Sequence, residues 1–263
     1  MKKYRLTDET ITIDGKTLYR IQALIDISGI YEISAGEMGG FIEKEENLSH
    51  GGNAWVRGNA KVFGNAKVFG NAQVSGNAQV RDDAQVHENA LVRDNAQVRG
   101  NVQICDNAQV RENAYVSDNA QVFGNVLVRD DALICENALV FGNALICDSA
   151  LICGNSLVGG NAQVRDDAKV FGNAKVYSNA WVRDDARVNS IFNILVIGPI
   201  GSRGGSTTFY LNSYGGINVS CGCFTGSISD FEKAVQETHR DSIFAKEYAA
   251  AIQLAKIHIR KNE

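Results

Sequence analysis

The side chains able to do chemistry are unevenly spread along this chain. The richest stretch, Gly198-Pro-Ile-Gly-Ser-Arg-Gly-Gly-Ser-Thr-Thr, gathers glycine, hydroxyl and guanidinium groups close to one another. Gly201, Gly204 and Gly205 would let backbone amides converge there, with Arg203 supplying charge and Ser206 and Thr207 supplying hydroxyls. Such a nest suits a phosphate or carboxylate, a small anionic ligand. It is not a Walker loop, because no Gly-Lys-Ser/Thr follows, and a hairpin connection needing only flexibility competes with the anion reading. Further on, Cys221 and Cys223 fall on one face of a predicted strand with His239 downstream. Cys-x-Cys plus one histidine is an incomplete zinc set, so neither a metal nor another cofactor is expected. The remaining acid–base candidate is His87, alone at an outward position, where a solvated surface residue is the stronger expectation.

What would position these groups is a repeat. From Val56 to Val188 an aliphatic residue occupies every sixth position, through 22 periods without an insertion. Two residues before each stands a small residue, nearly always alanine, with Val102, Val126 and Ser156 as exceptions. Before that comes a pair such as Gly-Asn, Asp-Asn or Asp-Asp, residues that tolerate left-handed or bridge conformations and so bend the chain. The unit reads turn–turn–small–x–aliphatic–x, its last four positions alternating in and out as a short strand does. Strands this short, with a corner after each, cannot pair within their own turn. Three corners close an 18-residue triangular coil, and pairing with the coil above satisfies the backbone. At ~4.8 Å per coil, seven to eight coils form a prism about 37 Å long.

Residues 18 apart stack on the outside. One outward column runs Arg57, Ser75, Arg93, Arg111, Arg129, Cys147, Arg165, Arg183, and the next carries acids such as Asp94, Glu112, Asp130 and Asp148. Mutual neutralisation with little effect on stability is the expectation for this ladder. Elsewhere the outward position is mostly Gln or Lys, but Leu127, Leu133, Leu139, Leu145, Leu151 and Leu157 fill six successive repeats, with Phe141 in the same zone. An apolar belt girdling all three faces suggests an interface, and self-association through it is expected, unless the C-terminal segment folds back to cover it.

The repeat resembles that of left-handed parallel β-helices, the LpxA-like superfamily, and it is this resemblance that implies a left-handed coil. The opening Lys3-Tyr-Arg-Leu, then Ala35-Gly-Glu-Met-Gly-Gly-Phe-Ile-Glu-Lys-Glu-Glu-Asn-Leu-Ser running into Gly52-Asn-Ala-Trp-Val, resembles the start of YdcK-type β-helix proteins, which are common in prophages. The likeness covers roughly residues 3–188; it is specific as to fold and nearly silent as to activity. Hexapeptide-repeat proteins are often acyltransferases that use a histidine base, a loop excursion from the coil and a neighbouring subunit. Here His87 is the solenoid's one histidine and the repeat has no excursion. The resemblance therefore implies a non-catalytic phage- or prophage-type scaffold that displays a C-terminal module to a ligand or host protein. The rival readings are an acyltransferase and an anti-defence protein that sequesters a nucleotide signal or blocks a host enzyme.

The ends should cap the prism, whose raw edges would otherwise polymerise. Residues 1–51 are expected to form a β cap: Asp14-Gly15 between two alternating runs signals a hairpin, and Ala23 to Ile27 a third strand. After the solenoid at 52–189, residues 190–263 read as a βββαα module. Its strands lie near Ile194–Ile197, Thr207–Leu211 and Ile217–Cys221; a capping box at Ser229 opens one helix, and a second runs from about Phe244 to Ile259. A net charge of −4 with no basic tail argues against nucleic acid. No apolar run approaches the ~18 residues of a membrane span. The start, Met1-Lys-Lys-Tyr-Arg-Leu, lacks an apolar signal region, and six cysteines are then most simply reduced thiols, so cytoplasm is the expected compartment.

Overall fold

Burying an aliphatic side chain at every sixth residue requires the chain to turn a third of a circle in each repeat, and the backbone does so. The computed structural model describes residues 2–29 and 32–260. A hairpin comes first, β1 (Tyr4–Ile13) and β2 (Lys16–Ala23), followed by β3 (Met38–Ile42). The two-residue strands β4 to β26 then run from Trp55–Val56 to Arg187–Val188. Each pairs in parallel with the equivalent strand one coil away, as in Leu91↔Gln109 and Val92↔Val110, so that three sheets wrap the prism. The Val and Ile column and the small residues two positions earlier are at most 1 % exposed, including the exceptions Val102, Val126 and Ser156.

The corners explain the turn residues. The first turn residue of each, from Gly52 to Asp184, has positive φ. At most of the acidic corners, a left-handed conformation costing ~1–2 kcal/mol is offset by a hydrogen bond to the next coil. Glu88 Oε2 accepts the Asp106 amide at 2.6 Å, Asp106 Oδ2 that of Gly124 at 2.8 Å, and Glu112 Oε2 that of Asp130 at 2.9 Å. The asparagines that follow most corners add a second ladder, Asn89 Nδ2 donating to Asn107 Oδ1 at 3.1 Å and Asn107 to Asn125 at 3.0 Å. Mutual neutralisation is therefore only part of what the acids do. Arg129 does reach Asp130 at 2.7 Å, but the rung that recurs is carboxylate to amide. At Asp118 the Glu136 amide, followed by the Ser117 hydroxyl, holds the carboxyl below its ordinary range.

The prism begins before residue 52. Phe41 and Ile42 of β3 pair in parallel with Lys61 and Val62, and Leu48 bridges to Val68. This first coil lacks the repeat signature because its corners are built differently. Gly39 and Gly40 lie so close to the next coil that a Cβ would meet the carbonyl oxygens of Val56 and Ala60 at 2.6 Å. The buried Asn47 side chain donates to Gly64 O and Ala66 O at 3.1 and 2.8 Å. The strand expected at Ala23–Ile27 does not form: Ala23 ends β2, and Ile27 makes a single bridge to Ile33. Beneath the coil, Lys3 Nζ donates to Ala54 O at 2.7 Å, and the Tyr4 hydroxyl to Leu48 O at 2.7 Å.

At the other end stand β27 (Ile194–Ile200), β28 (Gly205–Leu211), β29 (Ile217–Cys221) and β30 (Phe224–Ser227), an antiparallel sheet in that order, followed by α1 (Ile228–His239) and α2 (Ile243–His258). Among the described residues the module thus has four strands, not three. Its first helix is capped by Ser227, whose hydroxyl accepts the Asp230 amide at 3.2 Å, and Ser229 lies inside the helix. The sheet docks on the last coil: the Trp181 amide donates to Thr208 Oγ1 at 3.0 Å, and the Thr225 hydroxyl to Asp184 Oδ2 at 2.9 Å. The module is thereby an end cap that covers the raw strand edge.

Candidate functional site

Helix α1 carries Phe231 and Val235 one turn apart, and both face the sheet. Helix α2 follows antiparallel after a short turn and brings in Tyr248. Between the two helices and the β27–β28 and β29–β30 turns lies a cleft of about 230 Å³. Its wall is aromatic. Phe231 lies 5.0 Å from Phe224 and meets Tyr248 edge-on at 5.5 Å, while the His239 ring stacks on Tyr248 at 5.5 Å. Ser202, Arg203, Gly205 and Ser206 line one side, Cys221 and Cys223 another. The Thr207 hydroxyl donates to Cys221 Sγ at 3.2 Å from behind the wall, and Cys221 Sγ stands 3.7 Å from the Tyr248 hydroxyl. Burial pushes the Tyr248 phenol up to about 12, with the Cys221 hydrogen bond adding to it. Tyr248 therefore stays a neutral phenol, and Arg203 brings a guanidinium to the same cleft.

Arg203, Gly205, Ser206, Cys221, Cys223 and His239 all line this one cleft, although 36 residues separate Arg203 from His239. Gly201, Gly204 and Thr207 do not line it. The converging-amide nest is absent: the Gly201 amide is taken by Glu247 Oε2 at 2.8 Å, and the Gly204 amide by Gly201 O at 3.0 Å, closing a tight turn. Cys221 and Cys223 do not share a strand face, since Cys221 ends β29 and Cys223 sits exposed in the turn to β30. The aromatic wall is what sequence reasoning missed. The one signal for it was Phe231 and Val235 at helical spacing, which reads equally as core.

On the solenoid, His87 stacks on Phe69 at 4.7 Å, beside Glu88 and Cys105. The leucine belt is half-buried, because Leu127 stacks on Leu145, Leu133 on Leu151 and Leu139 on Leu157. Phe141 lies between Phe123 and Tyr177, over Gly159, where a Cβ would meet its ring at 2.5 Å. Burial raises the thiols Cys135 and Cys147 to about 12 and Cys105 to about 11, so each keeps its proton near neutral pH unless a metal ion displaces it.

Fold and cleft together define a class, a three-sided β-solenoid closed at one end by an α+β module with a ligand-sized cleft. Within the prism, residues 72–88 match the model of the YdcK beta solenoid repeat. No curated protein matches the chain. Among the described residues, no helix is long and apolar enough to cross a membrane.

Proposed function

We propose that this chain is a non-catalytic solenoid scaffold of phage or prophage type, acting in the cytoplasm, whose C-terminal module binds a small ligand with a planar or apolar body and an anionic group. The cleft carries this reading. Phe224, Phe231, Tyr248 and His239 give a body something to pack on, and Arg203 beside Ser202 and Ser206 gives the anion a partner. Acyl transfer draws less support, because His87 packs against Phe69 in an uninterrupted coil that offers no loop to hold an acyl carrier. The prism is the rigid platform in this reading, and the leucine belt is where a second copy would pair with it.

Isothermal titration of the full chain with nucleoside monophosphates and aromatic carboxylates tests the proposal. Binding should weaken about ten-fold or more in Arg203→Ala, as expected for a lost charge-assisted hydrogen bond. It should vanish in Thr238→Trp, which fills the cleft from its exposed edge. Failure of every ligand to bind, or binding indifferent to both substitutions, would sink it.

A further inference from the structure

We propose that His87, Glu88 and Cys105 form a binding site for a borderline-soft divalent cation such as Zn2+ on one edge of the solenoid. The imidazole, carboxylate and thiol donor atoms lie within 4.8 Å of one another. Tetrahedral zinc, with bonds of ~2.0–2.3 Å, needs donors roughly 3.3–3.7 Å apart. Closing onto an ion thus asks about one ångström of side-chain movement, and no backbone change.

The surroundings favour this beyond the bare coincidence of three donors. The column containing His87 and Cys105 is otherwise Phe69, Phe123, Phe141, Gly159 and Tyr177. The corner column beside it is Gly70, Gly124, Gly142, Gly160 and Ser178, with acids only at Glu88 and Asp106. Nitrogen, sulfur and carboxylate donors thus replace aromatic rings and glycines on the same two successive coils of this edge. Two of the three ligands are also pre-oriented. The His87 ring lies parallel to Phe69 at an interplanar angle of 7°, and Glu88 Oε2 is held by the Asp106 amide at 2.6 Å, which leaves Oε1 for the ion. Such outer contacts raise metal affinity by fixing ligands before binding. Glu88 is exposed while His87 and Cys105 are half-buried, so a fourth position opens to water.

A second cluster, Asp130, Cys147 and Asp148, shows what the first lacks. There a cation is already supplied: Arg129 sits 2.7 Å from Asp130 Oδ2, and the Cys147 thiol donates to Asp148 Oδ2 at 3.3 Å. At the first cluster, histidine stands in the position before the acid that Arg129 holds at the second.

Co2+ and Zn2+ titrations of chelator-treated full-length protein test the site. One equivalent of Co2+ should give a near-ultraviolet thiolate-to-cobalt band that Zn2+ displaces. Cys105→Ser should abolish the band, and His87→Ala and Glu88→Gln should each weaken Zn2+ binding by at least ~10-fold. Cys147→Ser and the double change Cys221→Ser with Cys223→Ser should leave both readouts unchanged. All these positions outside the belt are at least partly exposed, and matched thermal unfolding would show that the fold survives. Absence of the band in the wild type, its survival in Cys105→Ser, or equal Zn2+ affinity in His87→Ala would overturn the proposal.

Discussion

Alanine substitutions at the three loop glycines beside the cleft separate conformational cost from steric cost. Gly205 lies outside the left-handed region, and a Cβ there meets nothing within 4 Å, so Gly205→Ala should change stability by less than ~0.5 kcal/mol. Gly204 has φ +56 and its Cβ would touch only Pro199 at 3.9 Å, so it carries the conformational cost alone, about 1–2 kcal/mol. Gly201 combines φ +72 with a Cβ that would overlap the Tyr248 hydroxyl and Cζ. That ring cannot swing aside freely, because it is 8 % exposed and packed between Phe231 and His239. Overpacking should add ~1–3 kcal/mol, for a total of roughly 2–5 kcal/mol. A repeat array need not unfold in one step, so the readout should be local: hydrogen exchange of the α2 amides. Gly201→Ala should lower their protection roughly 30-fold or more, at ten-fold per 1.4 kcal/mol, and Gly204→Ala by about 5- to 30-fold. Equal effects at 201 and 204 would mean that Tyr248 is not held where the cleft geometry requires it.

Ile134→Ala, in the fully buried column, should cost ~2–5 kcal/mol in urea unfolding; a cost under 1 kcal/mol would mean that the prism interior is loosely packed. The depressed Asp118 pKa gives stability that is present above the unfolded value of ~3.9 and lost as pH falls through the folded one. Asp118→Asn should therefore flatten the stability profile on the acid side below about pH 4, and an unchanged profile would show that the Glu136 amide rung does not form. Lys3 behaves oppositely: burial lowers its pKa to about 8, so the folded state resists its protonation and stability should rise from about pH 8 towards ~10.4. Lys3→Met should remove that alkaline rise, and its persistence would place Lys3 in water. Leu133→Glu with Leu151→Glu, stacked on one face, should shift the proposed assembly to monomer in light scattering; a monomeric wild type would refute the interface.

Much of this protein follows from its period alone. Once Val56, Val62 and Val68 must all be inside, and Gly-Asn or Asp-Asn pairs bend the chain between them, each strand has one place to find a hydrogen-bonding partner, 18 residues away. Translational symmetry then turns a local pattern into the global fold, which is why the inward column, the alanines and the stacked leucines were all legible in the sequence. Symmetry is silent where it stops. Phe41 and Leu48 join the first coil without the motif, because Gly39, Gly40 and Asn47 build its corners by close approach and side-chain hydrogen bonds. In the module, Arg203, Cys221 and His239 meet in one cleft because α1 and α2 cross the sheet and bring Phe231 and Tyr248 between them. The loop glycines suggested an anion nest, but Glu247, from a distant helix, takes the Gly201 amide, and only the folded chain could show that. Side-chain types and spacing determine which contacts are affordable within a repeat; contacts between non-repeating elements depend on packing angles that no local pattern encodes.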